Sequence, residues 1–251
     1  MNNYSISVIT VVKNDQKNIE KTIKSIINQK NIKLEYIIID GKSSDNTLNI
    51  VKKYRTKIHK IISEPDNGIY DAMNKGIELS NNDIIVFCNS GDYFFKNSLK
   101  IILDIFNKKN LDFIFGTVVR NYTKDKIIKS KFIPNRIYYN FDFATAHSTG
   151  FFLKRKIYKE IGNYNPRFKC SADYDLYFRL ISKKYKGTVN KKKDLIGNVA
   201  SGGFSSRISF FDHLIEETRI RLHNKQNIFI IFLIFFNSLF KFFFKFSFKF
   251  N

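Results

Sequence analysis

Short runs of consecutive apolar, largely β-branched residues punctuate the first half of the chain, at 7–12, 34–39, 58–62, 84–88 and 113–119. Runs this short and continuous predict strands buried on both faces. Between them the period changes. Ile19, Ile23, Ile26 and Ile27, then Leu48, Ile50 and Val51, then Ile69, Ala72, Met73 and Ile77, then Leu99, Ile102, Leu103 and Phe106 recur at helical spacing, each set marking one apolar face. Strand alternating with helix predicts an α/β fold with a parallel sheet covered on both sides. Right-handed crossovers gather the loops after the strands along one edge, where such sheets bind ligands.

Past residue 120 the signal weakens. Residues 121–143 are basic and aromatic with little periodicity, which predicts only a hairpin or a loop. Order returns at 150–162 and again at 171–183, where Leu176, Phe178, Leu180 and Ile181 predict a helix. Composition then shifts sharply, because no Asp or Glu occurs from 218 to 251 and eleven of the 27 Phe lie after Asn227. We therefore expect a catalytic-size domain over 1–218 and a separate tail over 219–251. The tail's apolar run at 228–236 extends uncharged only to Phe240, short of the about 20 apolar residues that a membrane span needs. Beyond it Lys241, Lys245 and Lys249 repeat every fourth position among phenylalanines. As a helix, this is the pattern of a segment lying in the headgroup layer of an anionic membrane; a helix packed on the catalytic domain, or on a second subunit of an oligomer, is the other reading.

At 251 residues and 43% hydrophobic content the chain can bury one substantial core. A formal net charge of +21 favours an anionic partner such as a nucleotide, a nucleic acid or an acidic lipid surface. No recognised nucleic-acid motif appears and the lysines are scattered over helices or gathered in the tail, so nucleic acid is not expected. Nor is there a GxxxxGK phosphate loop. The two cysteines, Cys88 and Cys170, make neither a disulfide framework nor a paired-ligand zinc site. The start, MNNYSISVITVVKND, lacks a basic lead and a cleavage site, and reads as a first strand rather than a signal peptide. A cytoplasmic protein is expected.

Candidate chemistry sits where strands end. The segment EYIIIDGKSSDNT closes a buried strand on Asp40, where a ligand's N–H or hydroxyl would be read, and starts a helix near Asp45, a good cap. EPDNGIYDAMNKG, at 64–76, opens a helix from a turn and on its own is equally a turn and cap. VFCNSGDYF ends a strand in Asn89, Ser90, Gly91 and Asp92. One carboxylate there, with diphosphate oxygens and water, can hold Mg²⁺ or Mn²⁺, although a strand-end Asp is also an ordinary turn residue. In SADYDLYFRL, Asp173 can act as a general base toward a hydroxyl, or can cap the helix while Asp175 complements its dipole.

In order and content, SVITVVKN, IIIDGKSSDNT, SEPDNGIYDAMNKGI, FCNSGDYF, SADYDLYFRL and SGGFSS resemble the family 2 glycosyltransferases, closest to their bacterial exopolysaccharide and colanic-acid-type branch, over about residues 5–220. The resemblance implies a GT-A fold, a Rossmann-like, mostly parallel central sheet flanked by helices. It implies a nucleotide diphosphate sugar as donor, a saccharide or polyprenyl-linked acceptor in surface polysaccharide synthesis, and inversion at the anomeric centre. It places Asp40 against the nucleotide base with Asn14 and Asp66 nearby, and Asn89 near the ribose. Asp92 becomes the metal ligand and Asp173 the catalytic base. NSGD departs from a full DxD, since Asn89 and Gly91 replace carboxylates, and Ala172 stands where many relatives carry Glu. His147 aligns with a recurring His near phosphate or acceptor, and SGGFSS with a turn over the donor phosphates. With the basic tail, the expected location is the inner face of the cell membrane, as a peripheral enzyme.

Overall fold

In the computed structural model, which describes residues 3–121, 125–128, 130–139, 143–144, 147–203 and 207–247, strand and helix alternate as the hydrophobic runs predict. The elements are β1 (Ile6–Val12), α1 (Ile19–Ile27), β2 (Leu34–Asp40), α2 (Thr47–Lys52), β3 (Lys60–Ser63), α3 (Ile69–Leu79), β4 (Ile84–Phe87), β5 (Tyr93–Phe94), α4 (Ser98–Lys108), β6 (Phe113–Phe115), β7 (Thr117–Asn121), β8 (Asp125–Ile128), β9 (Phe151–Lys154), α5 (Arg155–Ile161), α6 (Ala172–Ser182), β10 (Gly187–Val189), β11 (Leu195–Val199), α7 (Phe210–His223) and α8 (Ile228–Ser247). The larger sheet has the order β10-β6-β9-β4-β1-β2-β3. Its pairings are parallel except at β9, which runs antiparallel to both β4 and β6.

β1 is buried at every position, and its side chains divide by the two-residue strand period. Ile9 and Val11 join α3 and α6 in one core, while Ile6 and Val8 join α1 and α4 in the other. The result is the helix-sheet-helix sandwich of the GT-A fold, with the loops after β1, β2, β3 and β4 on one edge.

The apolar run at 113–119 is not one strand but two. β6 belongs to the large sheet, whereas β7 crosses into a second sheet of order β5-β11-β7-β8. Gly116 makes the break. Its N–H donates to the Gly150 carbonyl at 2.7 Å, and a Cβ there would come within 2.9 Å of Ile196. Both strands are buried, so hydrophobicity does not register the change of sheet. The weak stretch at 121–143 contains the β7–β8 hairpin and a 3₁₀ turn at Pro134–Tyr138.

The compositional step at 218 falls inside α7. Arg221, almost fully buried, lies on the far side of that step. Its Nε and Nη2 donate to Glu217 at 3.0 and 2.8 Å, and its Nη1 reaches the carbonyls of Ile137 and Tyr138 at 3.2 Å. Asn224 then donates to Asp175, which also accepts from Arg179. Asp175 thus ties α6 to the end of α7, and the chain enters α8 only after Asn227. Removing one partner of a buried, hydrogen-bonded ion pair costs about 3–5 kcal/mol. Arg221→Ala is accordingly expected to lose that much in chemical denaturation; a loss under 1 kcal/mol would show that α7 does not anchor to the fold through this residue.

Candidate active site

The loops at the carboxyl edge are stitched together by side chains. After β1, Asn14 takes a left-handed conformation. Its N–H donates to Ser43 Oγ at 2.8 Å, and its Oδ1 accepts from the Ser44 N–H at 2.8 Å. One residue on, Asp15 accepts from Ser90 Oγ at 2.6 Å, joining the loops after β1 and β4. Asp45 accepts from the N–H groups of Thr47 and Gln16 at 3.0 and 3.1 Å, and so ties the first residue of α2 to the β1 loop.

Asp40 is wholly buried. Its carboxylate accepts from the Ser43 N–H and hydroxyl and, at 2.6 Å, from Ser63. In this arrangement it shapes the β2 loop from within. Asp66 is half-buried beside that loop, so close to Gly41 that a Cβ would meet its Oδ2 at 2.1 Å. Gly41 is therefore required for the approach. Lys13, exposed, passes the same position at 3.2 Å.

The segment from Ile69 to Gly76 packs with a separate task for each residue. Ala72 and Met73 enter the core. Asp71 accepts from the Asn67 N–H at 2.9 Å and Asp66 from the Gly68 N–H at 3.0 Å, satisfying donors at the helix start. Asn74 exchanges two hydrogen bonds with the Tyr164 backbone, and Lys75 pairs with Glu64. Gly76 lets the helix lie on β1, where a Cβ would come within 2.4 Å of Ile9. Tyr70 crosses to α6: its hydroxyl lies 3.2 Å from Asp173 Oδ1 and from the Cys170 carbonyl.

Asp173 stands in the first turn of α6, partly buried, and also accepts from the Tyr174 N–H at 2.9 Å. Burial raises its pKa, while the hydrogen bonds from Tyr174 and Tyr70 and the His213 charge pull it back. α7 supports this turn. Glu216 accepts from the N–H groups of Lys169, Cys170 and Ser171 at 2.8, 2.7 and 2.6 Å, and His213 Nδ1 lies 3.5 Å from Ser171 Oγ. No pattern in the sequence singles out His213, Tyr70 or Glu216. Tyr70 lies within the 64–76 segment; the α7 residues carry no local signal, because their partners lie more than 40 positions away.

Asp92 is buried beneath the NSGD loop. One oxygen accepts from Thr149 Oγ1 at 2.6 Å and the other from the Ala200 N–H at 2.9 Å. His147 caps the turn at Ser148–Gly150, accepting the Thr149 N–H at 3.3 Å. Burial, aided by the Arg120 charge, pushes His147 down to about 3, so it is neutral near pH 7. Asn89 donates weakly to Ser148, and its Oδ1 is a buried acceptor without a partner. These residues do not fit a resident divalent cation. Each Asp92 oxygen already accepts one hydrogen bond, the unsatisfied acceptor is a neutral amide, and among the described residues no three His, Cys, Asp or Glu converge as ligands, so these residues by themselves make no complete cation site. Of SGGFSS, residues 204–206 lie outside the described residues.

This fold and loop arrangement agree with the comparisons to known proteins. The family model described as glycosyl transferase family 2 matches residues 7–162, more than half of the chain, and the chain belongs to that family. It is similar to the UDP-Glc:alpha-D-GlcNAc-diphosphoundecaprenol beta-1,3-glucosyltransferase WfgD of Escherichia coli, 24% identical over 226 residues, 79% of this chain and 87% of that one. It is also similar to a PGL/p-HBAD biosynthesis glycosyltransferase of Mycobacterium bovis, 26% identical over 153 residues, 59% of this chain and 58% of that one. A glycosyltransferase of Mycobacterium tuberculosis is 37% identical over 91 residues, 36% of this chain and 35% of its own length. The match thus spans between about a third and three-fifths of these two mycobacterial relatives. Among solved structures, S. aureus TarS 1-349 in complex with UDP-GlcNAc superposes with a TM-score of 0.72 at 19% identity, over 95% of this chain and 73% of that one. The Pyrobaculum calidifontis mannosyltransferase PcManGT, in complex with GDP-Man and Mn²⁺, gives 0.64 at 13% identity, over 89% and 64%.

Burial pushes the Asp92 carboxyl up to about 6, against the pull of Thr149, Ala200 and Arg120. A carboxyl raised in the folded state favours folding when protonated. Its contribution is therefore full below about pH 4 and is lost as pH rises through about 6, by on the order of 3 kcal/mol. Asp92→Asn keeps the shape and an acceptor for Ala200, so the stability difference between pH 4 and pH 7 should shrink by a measurable part of that amount. Because each Asp92 oxygen already accepts a hydrogen bond in a buried setting, Mn²⁺ should affect donor binding equally in variant and wild type. An unchanged pH dependence would show that the Asp92 carboxyl is not raised in the folded state, and a lost Mn²⁺ response would return Asp92 to the role of metal ligand.

Proposed function

We propose that this chain transfers a sugar from a nucleoside diphosphate donor to a hydroxyl of a saccharide or polyprenyl-linked acceptor, inverting the anomeric centre, in bacterial surface polysaccharide synthesis. The observation that carries this reading is the Tyr70–Asp173 hydrogen bond, which fixes a half-buried carboxylate to the helix that begins at the Asp66 loop. In this reading the nucleotide lies over the linked loops of Asn14, Asp40, Asp66 and Asn89, with Lys13 and Lys42, both exposed, supplying positive charge to the diphosphate. The WfgD name, with its diphosphoundecaprenol acceptor, and the nucleotide sugars in the TarS and PcManGT structures support the donor and acceptor classes.

Asp173 takes the proton of the acceptor hydroxyl as that oxygen bonds to the anomeric carbon. The bond from the sugar to the diphosphate breaks on the opposite face, and its electron pair leaves with the nucleoside diphosphate. A carboxylate raised by burial is a stronger base than one in water, while the Tyr70 hydrogen bond keeps its ionised form accessible and its oxygens oriented.

The tail supports a cytoplasmic enzyme resting on the inner face of the membrane. Phe229, Phe232, Leu233, Phe236, Phe240, Phe243 and Phe244 are all exposed on α8 and follow helical spacing, one stripe about 22 Å long. The other face packs on α7, where Phe242 stacks on Phe210 at 4.2 Å and Ile231 is buried. No helix of the described residues is long and apolar enough to cross a membrane. A basic, acid-free helix with such a stripe suits an anionic interface. Lys249 lies outside the described residues.

Asp173→Asn should lower transfer by at least a thousandfold with donor affinity within about threefold of wild type; appreciable turnover in this variant would remove Asp173 as base. Tyr70→Phe removes a hydrogen bond that holds the Asp173 pKa down, so the acid limb of its kcat/KM profile should move to higher pH.

Replacing Phe232, Phe236 and Phe240 with Ser should abolish sedimentation with phosphatidylglycerol vesicles and leave the catalytic fold intact. If the same change instead dissolves a dimer formed without lipid, a second copy of the chain covers the stripe and the membrane reading fails.

A further inference from the structure

We propose that the amino edge of the large sheet, opposite the candidate active site, carries a second anion site that takes a phosphate group and is built by Lys154, Arg155, Lys156 and Lys159. The topology creates it. β9 runs antiparallel to β4, so it begins beside Thr149 at the candidate site and ends with Lys154 opposite Ile84. The four residues of β9 separate the two ends by about 10 Å from Phe151 to Lys154. At the far end α5 starts at once, and Ile157 and Tyr158 anchor it in the core. The intervening basic residues are thereby fixed around an opening rather than free on a loop.

The opening is a cavity of about 240 Å³ lined by Tyr4, Asp83, Lys154, Arg155, Lys156 and Lys159. Lys154 is 5% exposed. Its ammonium sits 5.0 Å from the centre of the Tyr4 ring, and among the described residues it has no carboxylate partner. The side chain is thus held almost wholly inside the protein with its ammonium at the opening, where a ring face offsets the missing counter-charge only in part. Arg155 spends its Nε on the Asn82 carbonyl at 3.1 Å and its Nη1 on that of Ser80 at 3.5 Å, which hold the guanidinium at the rim. Lys156 and Lys159 are exposed and have no acidic partner among the described residues. The one carboxylate present, Asp83, is turned toward the start of β1, where its Oδ2 accepts from the Ser5 N–H and hydroxyl at 2.9 and 2.7 Å.

Four cations against one engaged carboxylate, around a cavity large enough for a phosphate ester, define an anion site. A compact cavity rather than an extended basic track favours a single phosphate or diphosphate group over a nucleic-acid strand. That group comes either from a soluble phosphate compound or from a phospholipid headgroup. The site does not depend on the proposed transfer reaction, and its test does not read activity.

The probe is inorganic phosphate, titrated while backbone amide resonances are followed by NMR. Saturable shifts are expected at Tyr4, Asp83 and 154–159. In Lys156→Glu/Lys159→Glu, and in Lys154→Met, the affinity read at those amides should fall at least tenfold with the remaining spectrum unchanged. Should Lys154→Met not fold, the double variant, at two exposed positions, decides alone. Absent shifts at these residues, or equal affinity in wild type and double variant, would overturn the proposal. A parallel measurement with phosphatidylglycerol and phosphatidylcholine vesicles separates the sources. Weaker binding of the double variant to phosphatidylglycerol alone assigns a lipid headgroup; unchanged vesicle binding with lost phosphate binding assigns a soluble compound.

Discussion

One buried carboxylate joins the two sheets. Asp92 leaves the end of β4 in the large sheet, accepts the Thr149 hydroxyl from the approach to β9, and accepts the Ala200 N–H at the exit of β11 in the small sheet. Its backbone is held as well, since Thr22 of α1 donates to the Asp92 carbonyl at 2.7 Å. Three chain segments more than 50 residues apart thus meet at one side chain. The low dielectric that raises its pKa also strengthens each of these hydrogen bonds, so the loop above it is set by polar contacts rather than by packing alone. His147, Asn89 and Ser148 take their positions from that turn.

The alternation of strand and helix was legible because parallel strands covered on both faces must be apolar throughout, and β1, β2 and β4 obey this at almost every position. The same rule hid the passage from β6 to β7. Both sides of Gly116 are buried, and no period separates two strands in different sheets from one long strand. Site residues were legible by position along the edge and not by environment. Asp40, Asp66 and Asp92 all lie at or after strand ends, yet Asp40 and Asp92 are interior and Asp66 is half-buried. What separates them is the chain around each: serines fold over Asp40, Thr149 and Ala200 close on Asp92, and Gly41 leaves Asp66 room.

The base region was half legible. SADYDLYFRL announces a helix with an acidic first turn, and Asp175 behaves as the structural residue that its place suggested, although through Arg179 and Asn224 rather than through the dipole. The backbone support of the turn comes from Glu216 and its polar environment from His213, one turn apart on α7. No local pattern points from α7 back to α6. For the same reason a change in composition at 218 does not mark a change in structure: charge and aromatic content report what faces the surroundings, whereas Arg221 is held by carbonyls of Ile137 and Tyr138 far upstream.

The sheet's two edges differ in electrostatic character, and strand direction explains how. Parallel strands β1, β2 and β4 deliver their carboxyl ends to one edge, where Asp15, Asp40, Asp66 and Asp92 are each hydrogen-bonded by serines, an asparagine, a threonine or backbone N–H groups. That leaves a rigid surface of loops with lysines at its rim, suited to an anionic ligand that must be oriented. β9, running the other way, carries Lys154 to the opposite edge, and no strand end there supplies a carboxylate free to meet it. In a chain with 43 basic and 22 acidic residues, most excess charge can spread over solvated helices. Lys154, its stem packed inside the protein, cannot spread in this way, so the reversal of one strand gathers part of a general excess of charge at one opening.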